Sequence, residues 1–353
     1  MSIPVQTLPI EANKDITIEQ YISIQQDIAN FPCYCDLSAE KIIISENITL
    51  CGTAESTNKH LTFDHENQLE LVVFSNICYS LLIEIIEQCQ LSVSALNAIN
   101  HRNNLVSFRF NVTSSNLMKS RELLAQLALK NKVEAALVEN PPQLTSPGLL
   151  VMDMDSTTIE IECIDEIAVL AGVGEQVAAV TELAMQGELD FAQSLHQRVS
   201  TLKNAPEQIL ADVANNIPLM AGLETLIKQL KQYNWRIAIA SGGFTYFAEH
   251  LEDLLGLDDS FANKLEIENG KLTGKVLGDV VDAQAKADSL AILSEKYSID
   301  KKQTVAMGDG ANDLVMMAAA YLGVAYHAKP IVLAQADSSI NHSGLDCLLH
   351  WLK

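Results

Sequence analysis

The residues able to do chemistry fall in short polar clusters: Asp153-Met-Asp155-Ser156-Thr157, Ser241-Gly242-Gly243, Lys286 and Gly308-Asp309-Gly310-Ala311-Asn312-Asp313. The first, second and last each follow an apolar run (149–153, 235–240 and 304–307). An Asp-x-Asp pair at a strand end leaves two carboxylates close together, which costs repulsion unless a cation neutralises them. Asp309 and Asp313 increase that need. An all-oxygen ligand set calls for a hard ion, and a few carboxylates completed by substrate oxygens suit Mg²⁺. A lone Asp in such a place is ordinarily a helix N-cap or a turn residue. Its recurrence after successive apolar strands favours a site.

A carboxylate so placed can attack phosphorus and form an aspartyl-phosphate, dividing one hard displacement into two easier ones. The metal would screen the attacking group from the phosphate and hold a non-bridging oxygen. The second Asp suits protonation of the leaving alkoxide and later activation of water. Ser241 and the Gly242-Gly243 backbone N–H groups, at a helix N-terminus, can cradle phosphoryl oxygens, and Lys286 lies in a helical run that can add an ammonium. Phosphate-monoester hydrolysis needs acceleration of up to about 10²¹-fold, so dense positive and hydrogen-bonding support is expected around the transferred group.

These clusters together resemble the four motifs of the haloacid dehalogenase superfamily, most closely those of its members that hydrolyse phosphoserine. Glu162, nine residues after Asp153, and the segment Phe191-Ala-Gln-Ser-Leu-His-Gln-Arg198-Val are similar to the substrate-binding parts of those enzymes. The resemblance spans about residues 148–345. It implies Asp153 as nucleophile and Mg²⁺ ligand, Asp155 as general acid/base with its backbone carbonyl on the metal, and Asp309 as the third protein ligand. Ser241, Gly242 and Lys286 would hold the phosphoryl group, with Asn312 contacting substrate and Asp313 orienting Lys286 or a metal-bound water. Glu162 would meet the substrate ammonium and Arg198 its carboxylate, which a guanidinium can grip bidentately. The alternatives are a related cap-bearing phosphatase or phosphotransferase acting on phosphothreonine, phosphohomoserine or another small monoester and, of other kinds, a phospho-acceptor signalling domain and an amino-acid sensor. Asp155 speaks against the signalling domain, because a residue placed to activate water would destroy a stable phospho-signal.

Strands alternating with helices from residue 149 onward predict a parallel sheet, whose ligands bind outside the carboxyl ends of the strands. The helical stretch of about 164–217 is too long for a simple crossover and reads as an inserted cap. The resulting fold class is a haloacid dehalogenase-like Rossmannoid α/β domain over 148–353. Before it, residues 141–147 form a Pro-rich linker and 1–140 an N-terminal α+β region. In that region 69–74, 77–88, 91–98, 105–112, 117–130 and 133–138 run β-α-β-β-α-β, the order of a ferredoxin-like (ACT-like) sandwich. The expected apolar face of the helix over 117–130 comprises Leu117, Leu123, Leu124, Leu127 and Leu129, and residues 1–60 read as a partial copy of the same unit. This organisation leaves room for an amino-acid effector at the N-terminal region and for a homodimer.

Composition narrows the partners. The 353 residues suit two domains; 48% are hydrophobic and 19% charged, enough apolar material for a sizeable core. With 23 Lys and Arg against 45 Asp and Glu, the net charge is −22, which repels nucleic-acid backbones and anionic lipid. The most apolar stretch, 69–86, is interrupted by Glu70, Ser75, Asn76, Ser80 and Glu84 and is too polar for a membrane span. The N-terminus shows no basic n-region or apolar h-region, so no signal peptide is expected. Seven scattered cysteines suggest a reducing, cytoplasmic setting, and Cys33 and Cys35 lack the second pair a zinc site needs.

Overall fold

In the computed structural model, which describes residues 6–9, 17–18, 33–37, 41–45 and 68–353, the chain divides into two units. The first takes the residues up to Pro141 together with Leu333–Ser343 and Cys347–Lys353. Its strands are β1 (Gln6–Pro9), β2 (Cys33–Leu37), β3 (Lys41–Ser45), β4 (Leu69–Phe74), β5 (Leu91–Arg102), β6 (Leu105–Ser114) and β7 (Ala135–Glu139). Helices α1 (Tyr79–Gln88) and α2 (Leu117–Asn131) join them. The sheet order is β1-β3-β2-β5-β6-β4-β7, antiparallel throughout, and β5-β6-β4-β7 has the ferredoxin-like arrangement. Apart from β1–β3, Thr17 and Ile18, the proposed partial repeat over 1–60 lies outside the described residues.

Local chemistry explains these elements. Asn103 and Asn104, with φ of 49° and 61°, make the two-residue turn that joins β5 to β6. Asn116 caps α2 through the Lys119 N–H, and Lys132 ends that helix in the left-handed conformation. Phe108, Phe110 and Val112 alternate along β6 and pack with Leu71, Val73 and the buried faces of both helices. Within the apolar face expected for α2, Leu124 and Leu127 are buried while Leu129 is exposed.

The opposite sheet face holds a buried ion pair. Arg109 on β6 donates through Nη2 to Glu70 Oε2 at 2.6 Å and through Nε at 3.0 Å, while Asn97 Nδ2 donates to Glu70 Oε1 at 2.6 Å. Arg109 Nη1 donates to the carbonyls of His350 (2.9 Å) and Leu352 (2.8 Å). Residues Cys347–Lys353 thus group with the first unit. Glu134 adds to the same link by accepting the N–H groups of His342 at 2.6 Å and Ser343 at 2.8 Å. Neither the charge pair nor the C-terminal carbonyls it satisfies show in hydrophobic periodicity.

The second unit, Pro142–Val332 with Gly344–Asp346, begins with β8 (Leu149–Met152). Next come α3 (Cys163–Leu170), α4 (Gly174–Met185), α5 (Phe191–Thr201), α6 (Gln208–Ala214) and α7 (Leu223–Gln232). After these are β9 (Arg236–Phe244), α8 (Thr245–Leu255), β10 (Asp259–Glu268), β11 (Lys271–Leu277), α9 (Ala283–Tyr297), β12 (Thr304–Gly308), α10 (Leu314–Ala319) and β13 (Leu322–Tyr326). Strands run β11-β10-β9-β8-β12-β13, parallel except for the β10–β11 hairpin. Every residue of β8 and β12 is buried, as a sheet covered on both faces requires. Helices α3 to α6 form the insertion between β8 and β9. The Pro-rich stretch expected as a linker packs into this unit: Trp235 Nε1 donates to Leu144 O at 2.9 Å, and Gln143 N donates to Gln303 Oε1 at 2.7 Å. Among the described residues, no helix is long and apolar enough to cross a membrane.

Glu70→Ala strands the Arg109 guanidinium in a buried place. It should cost the first unit about 3–5 kcal/mol, read by hydrogen exchange of the β4 and β6 amides in the full chain. A loss below about 1 kcal/mol would show that the pair does not hold this face.

Candidate active site

Strands β8, β9 and β12 deliver the polar clusters to one end of the parallel sheet. β9 continues through Gly243 to Phe244, and α8 begins at Thr245. Asp153 leaves β8 with its N–H donating to Met307 O of β12 at 2.9 Å, and its carbonyl accepts from the Thr158 hydroxyl at 2.5 Å. The turn between them is closed by Thr158 and Ile159 N–H groups on Met154 O, with Ser156 at φ 56°. Asp153 is 5% exposed.

Lys286 comes up from α9 with 1% of its surface exposed and bridges two carboxylates, Asp153 Oδ1 at 2.8 Å and Asp313 Oδ1 at 2.7 Å. Burial works against its charge, but the two carboxylates outweigh that and hold the ammonium above its ordinary pKa. Asp153 Oδ1 also accepts the Met154 N–H at 2.8 Å, which fixes the carboxylate plane. Gly308 is needed here because a Cβ on it would lie 2.4 Å from Asp313 Cγ.

Asp153, Asp309 and Asp313 each bring a carboxylate oxygen to within 4.8 Å of the others, a group fit for a hard divalent cation. Burial and the neighbouring Asp153 raise Asp309 above the usual carboxylate range and push Asp313 up to about 7, against the pull of Lys286. The Asp155 side chain stands outside that group and accepts the Cys163 N–H at 3.1 Å. Burial, then Glu162 and Asp153, push its pKa up to about 8.

A cleft of about 570 Å³ lies between these groups and the inserted helices, lined by Asp153, Asp155, Ser241, Gly242, Asp309 and Asn312 on the sheet side. Glu162, Asp165, Phe191, Ser194 and Arg198 line it on the helical side. Glu162 is exposed and accepts from the Ser156 hydroxyl at 2.8 Å. Arg198 is half-buried, and its Nε is buried with no partner. Burial lowers its pKa while Asp165, Glu162 and Asp155 act the other way, and a guanidinium stays charged. A Cβ on Gly242 would meet Phe191 Cζ at 2.5 Å, so any larger residue there would have to displace this ring. Ser241 is buried, its Oγ accepting the Gly243 N–H at 2.9 Å.

All the residues singled out from sequence thus line one site or brace it. Sequence reasoning gave no role to Thr157, which is fully buried with Oγ1 3.5 Å from Asp309 Oδ1. It also missed Asn263, which donates to Gly242 O and accepts the Val281 N–H, both at 2.8 Å, tying the glycine loop to β10. Asp165 and Lys329 on the cleft wall went unmarked too. The available signal was weak: Asn263 is one of several polar residues in its strand, and Thr157 had only its place in the first cluster.

A sequence model of the haloacid dehalogenase-like hydrolases matches residues 148–320. Relatives named phosphoserine phosphatase are 60% identical in Vibrio cholerae, over 61% of this chain and 65% of that protein, and 50% identical in Idiomarina loihiensis, over 59% of this chain and 94% of that one. The alignment therefore covers just under two thirds of the Vibrio cholerae relative. A crystal structure of a probable phosphoserine phosphatase from Vibrio cholerae superposes with a TM-score of 0.66 at 46% identity, covering 80% of this chain and 86% of that one. The chain belongs to the phosphoserine phosphatases of the haloacid dehalogenase superfamily.

In the metal-free protein, Asp155 and Asp313 ionise at higher pH folded (about 8 and about 7) than their ordinary 3.8. Their stabilising contribution is full below about pH 4 and lost as pH rises through 7 and 8. Urea unfolding of the second unit across this range should show that decline, flattened by Asp155→Asn; a slope unaltered by the substitution would contradict it.

Proposed function

We propose that this chain hydrolyses O-phospho-L-serine to L-serine and phosphate through an aspartyl-phosphate on Asp153, with Mg²⁺ as the cation. The observation that carries this reading is the ion pair at the end of β8 between Asp153 and the buried Lys286, with the Asp155 carboxyl two residues on, beside the same cleft and on the Cys163 N–H. One carboxylate is available as nucleophile and the other as acid, the division of labour such chemistry needs. Asp153, Asp309 and the Asp155 carbonyl would hold the cation, which when bound would supply charge neutralisation between carboxylate and phosphate.

An Asp153 oxygen attacks phosphorus as the P–O bond to the serine oxygen breaks, and the Asp155 proton passes to that oxygen. Asp155, now a carboxylate, takes a proton from water as the water attacks the phosphoryl group, releasing phosphate and restoring Asp153. Lys286, Ser241 and the Gly242 N–H hold the phosphoryl oxygens, with Asn312 beside them. Asp313 keeps Lys286 aimed at Asp153. Glu162 meets the substrate ammonium and Arg198 its carboxylate, one charge of each sign for a free amino acid. Cytoplasmic placement belongs to the same reading and is supported by the scattered cysteines.

Turnover of phosphoserine, phosphothreonine and p-nitrophenyl phosphate, with chelator and with added Mg²⁺, tests the proposal. Phosphoserine should be preferred, chelation should stop turnover and Mg²⁺ should restore it; full activity in chelator contradicts the metal role. Arg198→Ala removes charged hydrogen bonds worth about 1.5–3 kcal/mol. Its kcat/KM on phosphoserine should fall by about 10- to 100-fold more than on p-nitrophenyl phosphate, and equal losses would dismiss the carboxylate contact.

A further inference from the structure

One hydroxyl on the cleft wall has no work in the structure. Ser194 is 2% exposed and lines the cleft, yet its Oγ has no hydrogen-bond partner. A helical serine or threonine ordinarily donates to a carbonyl three or four residues back. Thr181, Ser200, Thr201, Ser289 and Ser294 all do so, at 2.7–3.1 Å. On α5, Ser194 forgoes this bond although its own N–H reaches Asp190 O at 2.9 Å. A buried hydroxyl left unmatched costs free energy, so its place on the wall of a polar cleft calls for an acceptor or donor arriving from the cleft.

The neighbours give that group its sign. Phe191, Ser194, Leu195 and Arg198 stand at i, i+3, i+4 and i+7 along α5, one helical face, and all line the cleft. Arg198, one turn beyond Ser194, presents the other unmatched buried donor on this helix, its Nε–H. A serine hydroxyl beside a guanidinium edge forms a three-donor cradle with a positive centre, suited to a planar anion with several lone pairs.

We propose that Ser194 is a specificity-determining residue whose hydroxyl donates to the α-carboxylate of the substrate alongside Arg198. The inference rests on the phosphoserine reading and extends it to a residue outside the phosphoryl-transfer groups. Phosphoethanolamine, which has the same phosphate and ammonium but no carboxylate, isolates the contact. In the wild-type protein phosphoserine should be strongly preferred over phosphoethanolamine. Ser194→Ala should lower the phosphoserine-to-phosphoethanolamine ratio of kcat/KM about tenfold, mainly through KM for phosphoserine. Ser194→Thr, which restores the hydroxyl, should recover most of the ratio.

If the wild-type protein shows no preference between the two esters, the amino-acid reading of the whole site fails. If it does prefer phosphoserine but Ser194→Ala leaves the ratio intact, or lowers both activities equally, only the Ser194 proposal is overturned. Should Ser194→Ala unfold, Ser194→Cys, close in size with a much weaker donor, carries the same test: an unchanged ratio overturns the proposal and a reduced one supports it.

Discussion

A single buried ammonium holds the site together. Lys286 is taken out of water on α9 and can remain charged there only because Asp153 and Asp313 stand at 2.8 and 2.7 Å. The dependence runs both ways: two buried carboxylates so close to a third, Asp309, would repel one another without that cation and a metal beside it. The requirement fixes where β8 and β12 must end and where α9 must begin, since each contributes a charge to one small volume. Gly308 gives Asp313 the room to enter it.

The same crowding divides the roles of the two aspartates at the end of β8. Asp153 lies against the ammonium and receives a backbone N–H; at Asp155, burial and the like charges of Glu162 and Asp153 raise the pKa to about 8. Two identical side chains, two residues apart, thereby acquire different partners, an ammonium for Asp153 and the Cys163 N–H for Asp155. The helical insertion adds the remaining polarity, Glu162 near its first helix and Arg198 on α5, across a cleft wide enough to admit a small ester.

Much of this was legible in the sequence because it is local. Acidic clusters immediately after apolar strands mark the carboxyl ends of a parallel sheet, and Ala283–Tyr297, with Asp282 as its cap, is a helix in pattern and in structure. Long-range relations were not legible. Nothing local to Glu70 signals that it is buried beneath Arg109, because alternation places it on a polar face; the carbonyls that complete the arrangement come from His350 and Leu352, far along the chain. Asn263 was hidden for a similar reason, being a polar residue within a strand whose partner is a carbonyl on β9. Periodicity reports which face is apolar, not which polar group will find a distant partner.

The account stands on Asp153 as the group that takes the phosphoryl. Rapid acid quench of the wild-type enzyme turning over phosphoserine labelled in its phosphate, followed by peptide mapping, measures this directly. Label should appear on Asp153 within the first turnover and disappear as substrate is exhausted. Steady release of phosphate with no label ever found on Asp153 would contradict the account.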